Sequence, residues 1–169
     1  ASRRQGKPAL PFGWPGHTAW PEPSPDAPRR DINHLGCAEM APVDIVRRSY
    51  DAFARGDMDG VLGDMHPDIV WHQAQGLPHG GVYEGRDAVR TNIFDPLDQE
   101  WWDEFSAVPD EFLDAGDQVV VLGRYKGVAK GTGKVLDVPF VHVWTLDEDK
   151  AVRFRQFLDT AGWVEALRS

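Results

Sequence analysis

Residues 135–146 read Val135-Leu136-Asp137-Val138-Pro139-Phe140-Val141-His142-Val143-Trp144-Thr145-Leu146. Successive side chains of a strand point to opposite faces, so Phe140, His142 and Trp144 share one face and Val141, Val143 and Thr145 the other. One face is therefore aromatic and carries a single imidazole. The turn Asp147-Glu148-Asp149-Lys150 follows, and Ala151 to Leu158 reads as the returning strand. Upstream, Glu104 to Leu113 and Gln118 to Val128 flank a second turn, Asp114-Ala115-Gly116-Asp117. Two long hairpins in succession predict a mostly antiparallel sheet.

Ahead of the hairpins the period changes to that of a helix. Val43, Val46, Tyr50 and Phe53 recur at helical spacing behind Pro42, which suits a first turn. Gly56 ends that helix and Asp57 caps a second with the face Met58, Val61, Leu62 and Met65. His66-Pro67-Asp68 stops it, and Ile69-Val70-Trp71 begins a strand. A Gly/Pro-rich loop from Gly76 to Gly81 and a short extended piece at Val82-Tyr83 lead to a third helix near 86–97. A last helix runs from about Thr160 to Leu167. The order predicts an α+β domain over 42–169, helices covering one face of the sheet.

Residues 1–41 read as a proline-rich, irregular tail: seven of the 13 prolines fall between Pro8 and Pro28, with no helical or strand period. The chain carries a net charge of −9, and residues 42–169 hold 13 Lys/Arg against 23 Asp/Glu. Such a body repels a phosphate backbone, so nucleic acid is not an expected partner. No apolar run approaches ~18 residues, so no membrane span is expected. The single cysteine, Cys37, forms no internal disulfide, and the expected location is cytoplasmic. His66, His72 and His79 lack ligand spacing, and no metal is expected.

Five words in this order resemble the nuclear transport factor 2-like superfamily, and within it the SnoaL-like polyketide cyclases and ketosteroid-isomerase relatives. They are Ala54-Arg55-Gly56-Asp57; His66-Pro67-Asp68-Ile69-Val70-Trp71; Gly80 to Val89; Asp117-Gln118-Val119-Val120-Val121; and His142-Val143-Trp144. The resemblance covers about 42–168. It implies a cone-shaped, cystatin-like fold: a curved, mostly antiparallel sheet, three N-terminal helices on its concave face and a short C-terminal helix. It also implies a homodimer, an apolar small-molecule ligand, and cofactor-independent acid–base isomerisation or aldol-type cyclisation of a polyketide- or steroid-like carbonyl.

Carried over residue by residue, the isomerase tyrosine position is Ser49, the base position Gln73 and the protonated-aspartate position His142. The cyclase histidine position is also His142, but its aspartate position is Gln156. Asp159, three residues on, is the candidate substitute.

His142 has two readings open: an acid or base on an enolisable carbonyl, or a core histidine. Asp159 either pairs with His142 or caps the last helix. Trp71 and Gln73 share the inward face of the first strand and, with Gln156, Trp144 and Phe140, are candidate substrate-binding residues. Tyr50 lies on the apolar stripe of the first helix, with a hydroxyl able to reach the cavity. His79 is a candidate lid residue, and Trp101-Trp102 reads as packing between the third helix and the sheet or as a subunit contact. Two alternatives stand beside the enzyme. One is a non-catalytic small-ligand-binding module. The other is an epoxide hydrolase, whose Asp-Arg-Asp group would need a carboxylate beside Arg124.

Overall fold

The computed structural model describes residues 40–169. The expected tail, except its last two residues, lies outside the described residues.

Helix α1 (Pro42–Ala54) has proline in its first turn and buries Ile45, Val46, Ser49 and Tyr50 along one face. Gly56 takes a φ of 71°, which turns the chain, and the Asp57 carboxylate accepts from the Gly60 N–H at 2.9 Å to cap α2 (Met58–Gly63). Strand β1 (Met65–Gln73) begins four residues earlier than expected. His66-Pro67-Asp68 therefore lies inside the strand, at a register shift between Met65 and Val70 where Pro67 needs no ladder hydrogen bond.

Strand β2 (Gly81–Glu84) is followed by α3 (Arg86–Val89), which continues through π-helical turns at Arg90–Phe94 and Leu97–Trp101. The helical stretch thus reaches four residues beyond the expected end. Pro96 offers no N–H to the carbonyl one turn back, and the wider turns place their bonds elsewhere, as from the Asp95 N–H to the Arg90 carbonyl.

The hairpins are β3 (Trp102–Ala115) with β4 (Gln118–Ala129), and β5 (Val135–Asp147) with β6 (Lys150–Leu158); α4 (Thr160–Leu167) ends the chain. Glu148 and Asp149 both take positive φ in the second turn, matching the twist of the strands they join. The curved sheet has the order β2-β1-β6-β5-β4-β3 and is antiparallel throughout except between β1 and β6. α1 packs on β3 and β4, α3 on β1, and α4 on β5.

The inward parity is Val119, Val121 and Tyr125 on β4, Leu136 to Leu146 at even positions on β5, Phe154 and Gln156 on β6, and Ile69, Trp71 and Gln73 on β1. Among the described residues no helix is long and apolar enough to cross a membrane.

Candidate active site

Helices and sheet enclose a slot lined by His142, Tyr50, Tyr125, Trp71, Trp144, Gln73 and Gln156 among others. It holds about 540 Å³ of space free of atoms, its mouth included, but only about 60 Å³ of that admits the centre of a water molecule. None of its lining residues carries a formal charge.

His142 sits at the centre, 4% exposed. Phe140 stacks on its ring at 4.0 Å and Phe154 meets it edge-on at 4.8 Å. Its Nδ1 is hydrogen-bonded to the Tyr50 hydroxyl from α1, and its Nε2 lies 2.6 Å from the Tyr125 hydroxyl on β4. Burial with no carboxylate in the wall pushes the imidazole down to about 3, so it is neutral at neutral pH. Burial also pushes both phenols up, so they stay protonated.

The proton positions then follow by counting. The Ala74 N–H donates to Gln156 Oε1 at 3.2 Å, which turns the Gln156 amide nitrogen toward Tyr125, whose oxygen accepts at 2.7 Å. Trp144 Nε1 donates to the Tyr50 oxygen at 3.5 Å. A neutral imidazole has one N–H and one lone pair, so it accepts from one tyrosine and donates to the other. The tyrosine that receives the imidazole proton has its own O–H left over. Whichever tautomer is present, one phenolic O–H is free to face the slot.

A second chain runs beside the first. Trp71 Nε1 donates to Gln73 Oε1 at 2.8 Å, so the Gln73 amide nitrogen faces His79 Nε2, 2.7 Å away, and donates to it. His79 must then carry its proton on Nδ1, which is buried without a partner. Burial lowers its pKa to about 4. Its ring lies on Trp101 at 4.2 Å, and its backbone carbonyl accepts from the Tyr83 hydroxyl at 2.9 Å. The Trp163 indole N–H, in the slot wall, is also unpartnered.

The site therefore brings together His142, Tyr50, Trp71, Gln73, Gln156 and Trp144. Phe140 supports His142 from beneath. Asp159 is corrected: its exposed carboxylate accepts from the Gly162 N–H at 3.1 Å and caps α4, because β6 ends at Leu158 and the helix begins at Thr160. Arg124 is on the opposite face of β4 from Tyr125 and pairs with Asp137 at 2.6 Å in a half-exposed bridge outside the slot. It offers no acid–arginine group to an epoxide there. Trp102, at the start of β3, is buried against Trp163 of α4 at 5.1 Å, a contact with the last helix where the sequence suggests packing with the third. Tyr125 is the residue that sequence reasoning missed as a site group. Its parity with Val119 and Val121 was the available signal.

A family model for the SnoaL-like domain matches residues 46–154. The chain belongs to the SnoaL-like family. An NTF2-like protein from Burkholderia thailandensis E264 is 36% identical over 78% of this SnoaL-like chain and 100% of its own, with a TM-score of 0.74. TerC, co-crystallised with polyporic acid, is 28% identical over 75% of this chain and 98% of its own, with a TM-score of 0.68. A Xanthomonas campestris protein of unknown function with a cystatin-like fold is 22% identical over 77% and 100%, TM-score 0.68, a likeness of fold alone. No curated protein matches the chain.

Proposed function

We propose that this SnoaL-like domain binds an uncharged, apolar carbonyl compound and catalyses its acid–base tautomerisation, as in an isomerisation or aldol-type cyclisation, without a cofactor. The observation that carries the reading is the Tyr50–His142–Tyr125 chain, with its spare phenolic O–H in a slot free of charge. A donor held in an apolar wall polarises a carbonyl and stabilises the enolate that develops from it, and it does so more strongly than in water. Gln73 and Gln156 each have their oxygen occupied and an amide N–H to spare, so the wall offers donors to a ligand that brings acceptors. The narrow slot favours a flat ring over a bulky one. Co-crystallisation of TerC with polyporic acid supports an organic small molecule as the ligand class.

The test is proton exchange at the α-carbon of uncharged aryl ketones in heavy water, followed by NMR. Wild-type protein is expected to catalyse exchange, and His142→Ala to lose ~10²-fold or more of it while still binding the ketone.

A second reading is a binding module that orients its ligand and does no chemistry. The absence of any carboxylate among the slot-lining residues favours it. Saturable ketone binding with no exchange in the wild-type protein would establish it instead.

A further inference from the structure

We propose that Tyr50, His142 and Tyr125 form a neutral two-ended proton relay, in which Tyr125 protonates the substrate carbonyl while Tyr50 takes the α-proton. The proposal rests on the carbonyl reading above and supplies the base that the slot otherwise lacks. Both tyrosines and His142 line the same slot. The phenolic oxygens are roughly 7 Å apart, the span of one imidazole and two hydrogen bonds. The imidazole fills the line between them, so the proposed carbonyl and its α-carbon lie alongside the ring, on its slot side.

The two ends differ in chemistry. Tyr125 lies beside Gln156, whose remaining amide N–H adds a second donor for the carbonyl oxygen. Tyr50 has aromatic neighbours, Phe112 at 5.5 Å and Trp144 at 6.4 Å, a surface suited to a carbon end.

The step balances without any co-reactant. It starts with the imidazole proton on Nε2 and the spare O–H on Tyr125. The α C–H bond breaks and its proton passes to the Tyr50 oxygen, while the electron pair forms the C=C bond. The former Tyr50 proton moves to His142 Nδ1, and the Nε2 proton moves to the Tyr125 oxygen. Tyr125's own proton forms the O–H bond on the former carbonyl. The products are the enol and the other imidazole tautomer, and the spare O–H is now on Tyr50. Nothing is oxidised and no charge remains in the slot. Running the relay backward at a different carbon completes an isomerisation and restores the first tautomer. Tyr50 and Tyr125 are the catalytic residues, and His142 is the centre that passes the proton between them.

Two measurements test this. Nitrogen NMR of isotope-labelled His142 in the ligand-free protein reads the tautomer directly; the Nε2–H tautomer, from which the relay starts, is expected. In the second, α-tetralone reports α-proton exchange, and its α,α-dimethyl analogue, which has no proton to exchange, reports affinity. Tyr50→Phe is expected to lose ~10²-fold or more of the exchange and keep affinity within about threefold, while Tyr125→Phe loses both. The Nδ1–H tautomer alone, which leaves Tyr125 no O–H for a carbonyl, or undiminished exchange in folded Tyr50→Phe, overturns the relay and leaves the carbonyl reading standing. No exchange by wild-type protein on any ketone overturns that reading and the relay with it, whatever the tautomer spectrum shows.

Discussion

Gly123 on β4 lies opposite Phe140 on β5, and a Cβ at position 123 would come within 2.5 Å of the Phe140 ring and 2.4 Å of the Val108 carbonyl oxygen. The missing side chain lets the Phe140 ring settle over the strand. From there it stacks on His142 at 4.0 Å and packs against Tyr125 at 4.5 Å. The short path from Tyr125 to His142 therefore depends on a glycine that touches neither.

Gly123→Ala is expected to destabilise the domain by about 1–3 kcal/mol, because overpacking at a rigid site displaces the neighbouring ring. Ketone affinity should fall along with the melting temperature, since Phe140 supports the imidazole. A variant of unchanged stability and affinity would show that the ring has another place to go.

Asp159→Ala is expected to cost about 1 kcal/mol of stability through the lost cap on α4, with α-proton exchange unchanged. Thermal melts and the exchange assay on one preparation check both halves. A large loss of exchange at full stability would restore a catalytic role for this carboxylate.

Acid should unfold the protein earlier than its carboxylates alone dictate. Burial holds His142 down to about 3 and His79 down to about 4, against an ordinary 6.5 in the unfolded chain. Below 6.5 the unfolded chain binds protons that the native state refuses, so stability falls as pH falls. It is complete above pH 6.5 and is lost progressively toward pH 4 and 3, at about 1.4 kcal/mol per pH unit for each histidine. Urea titrations at pH 7, 6 and 5 give the slope. His79→Phe, which keeps a ring on Trp101, should remove about half of it.

Catalysis should show no inflection near the ordinary histidine pKa. With His142 neutral from about pH 5 to 8 and both phenols protonated, the exchange rate is expected to stay flat over that range. A rise or fall centred near pH 6.5 would mean that the active imidazole is exposed to water in the working protein.

Arg124→Gln is expected to change stability by no more than about 1 kcal/mol and exchange not at all, because its bridge to Asp137 is half exposed on the outer face. Equilibrium unfolding and the exchange assay read the two effects. Lost activity at unchanged stability would reopen the hydrolase alternative.

Much of the architecture is local and was legible in residue spacing. Alternation through Phe140, His142 and Trp144 set the inward face of β5, and helical spacing from Val43 to Phe53 set the buried face of α1. Gly56-Asp57 marked the join between the first two helices. These signals work because strand and helix periods are properties of neighbouring residues. Element ends were less legible: β1 absorbs Pro67 at a bulge, and the third helix continues past Pro96 in wider turns. In each case the chain's packing decided how a proline was tolerated.

The sequence by itself determined that one imidazole would face an aromatic interior with no charge beside it on its own strand. Only the tertiary structure decided what that imidazole meets. Tyr50 is 92 residues away on α1, and Tyr125 is 17 away on the neighbouring strand. Asp159 is as close in sequence as Tyr125, yet β6 ends at Leu158 and that carboxylate caps the helix that begins at Thr160. Spacing along a strand reports which face a side chain takes. Which groups then meet across that face depends on sheet curvature, strand register and the helix laid over it.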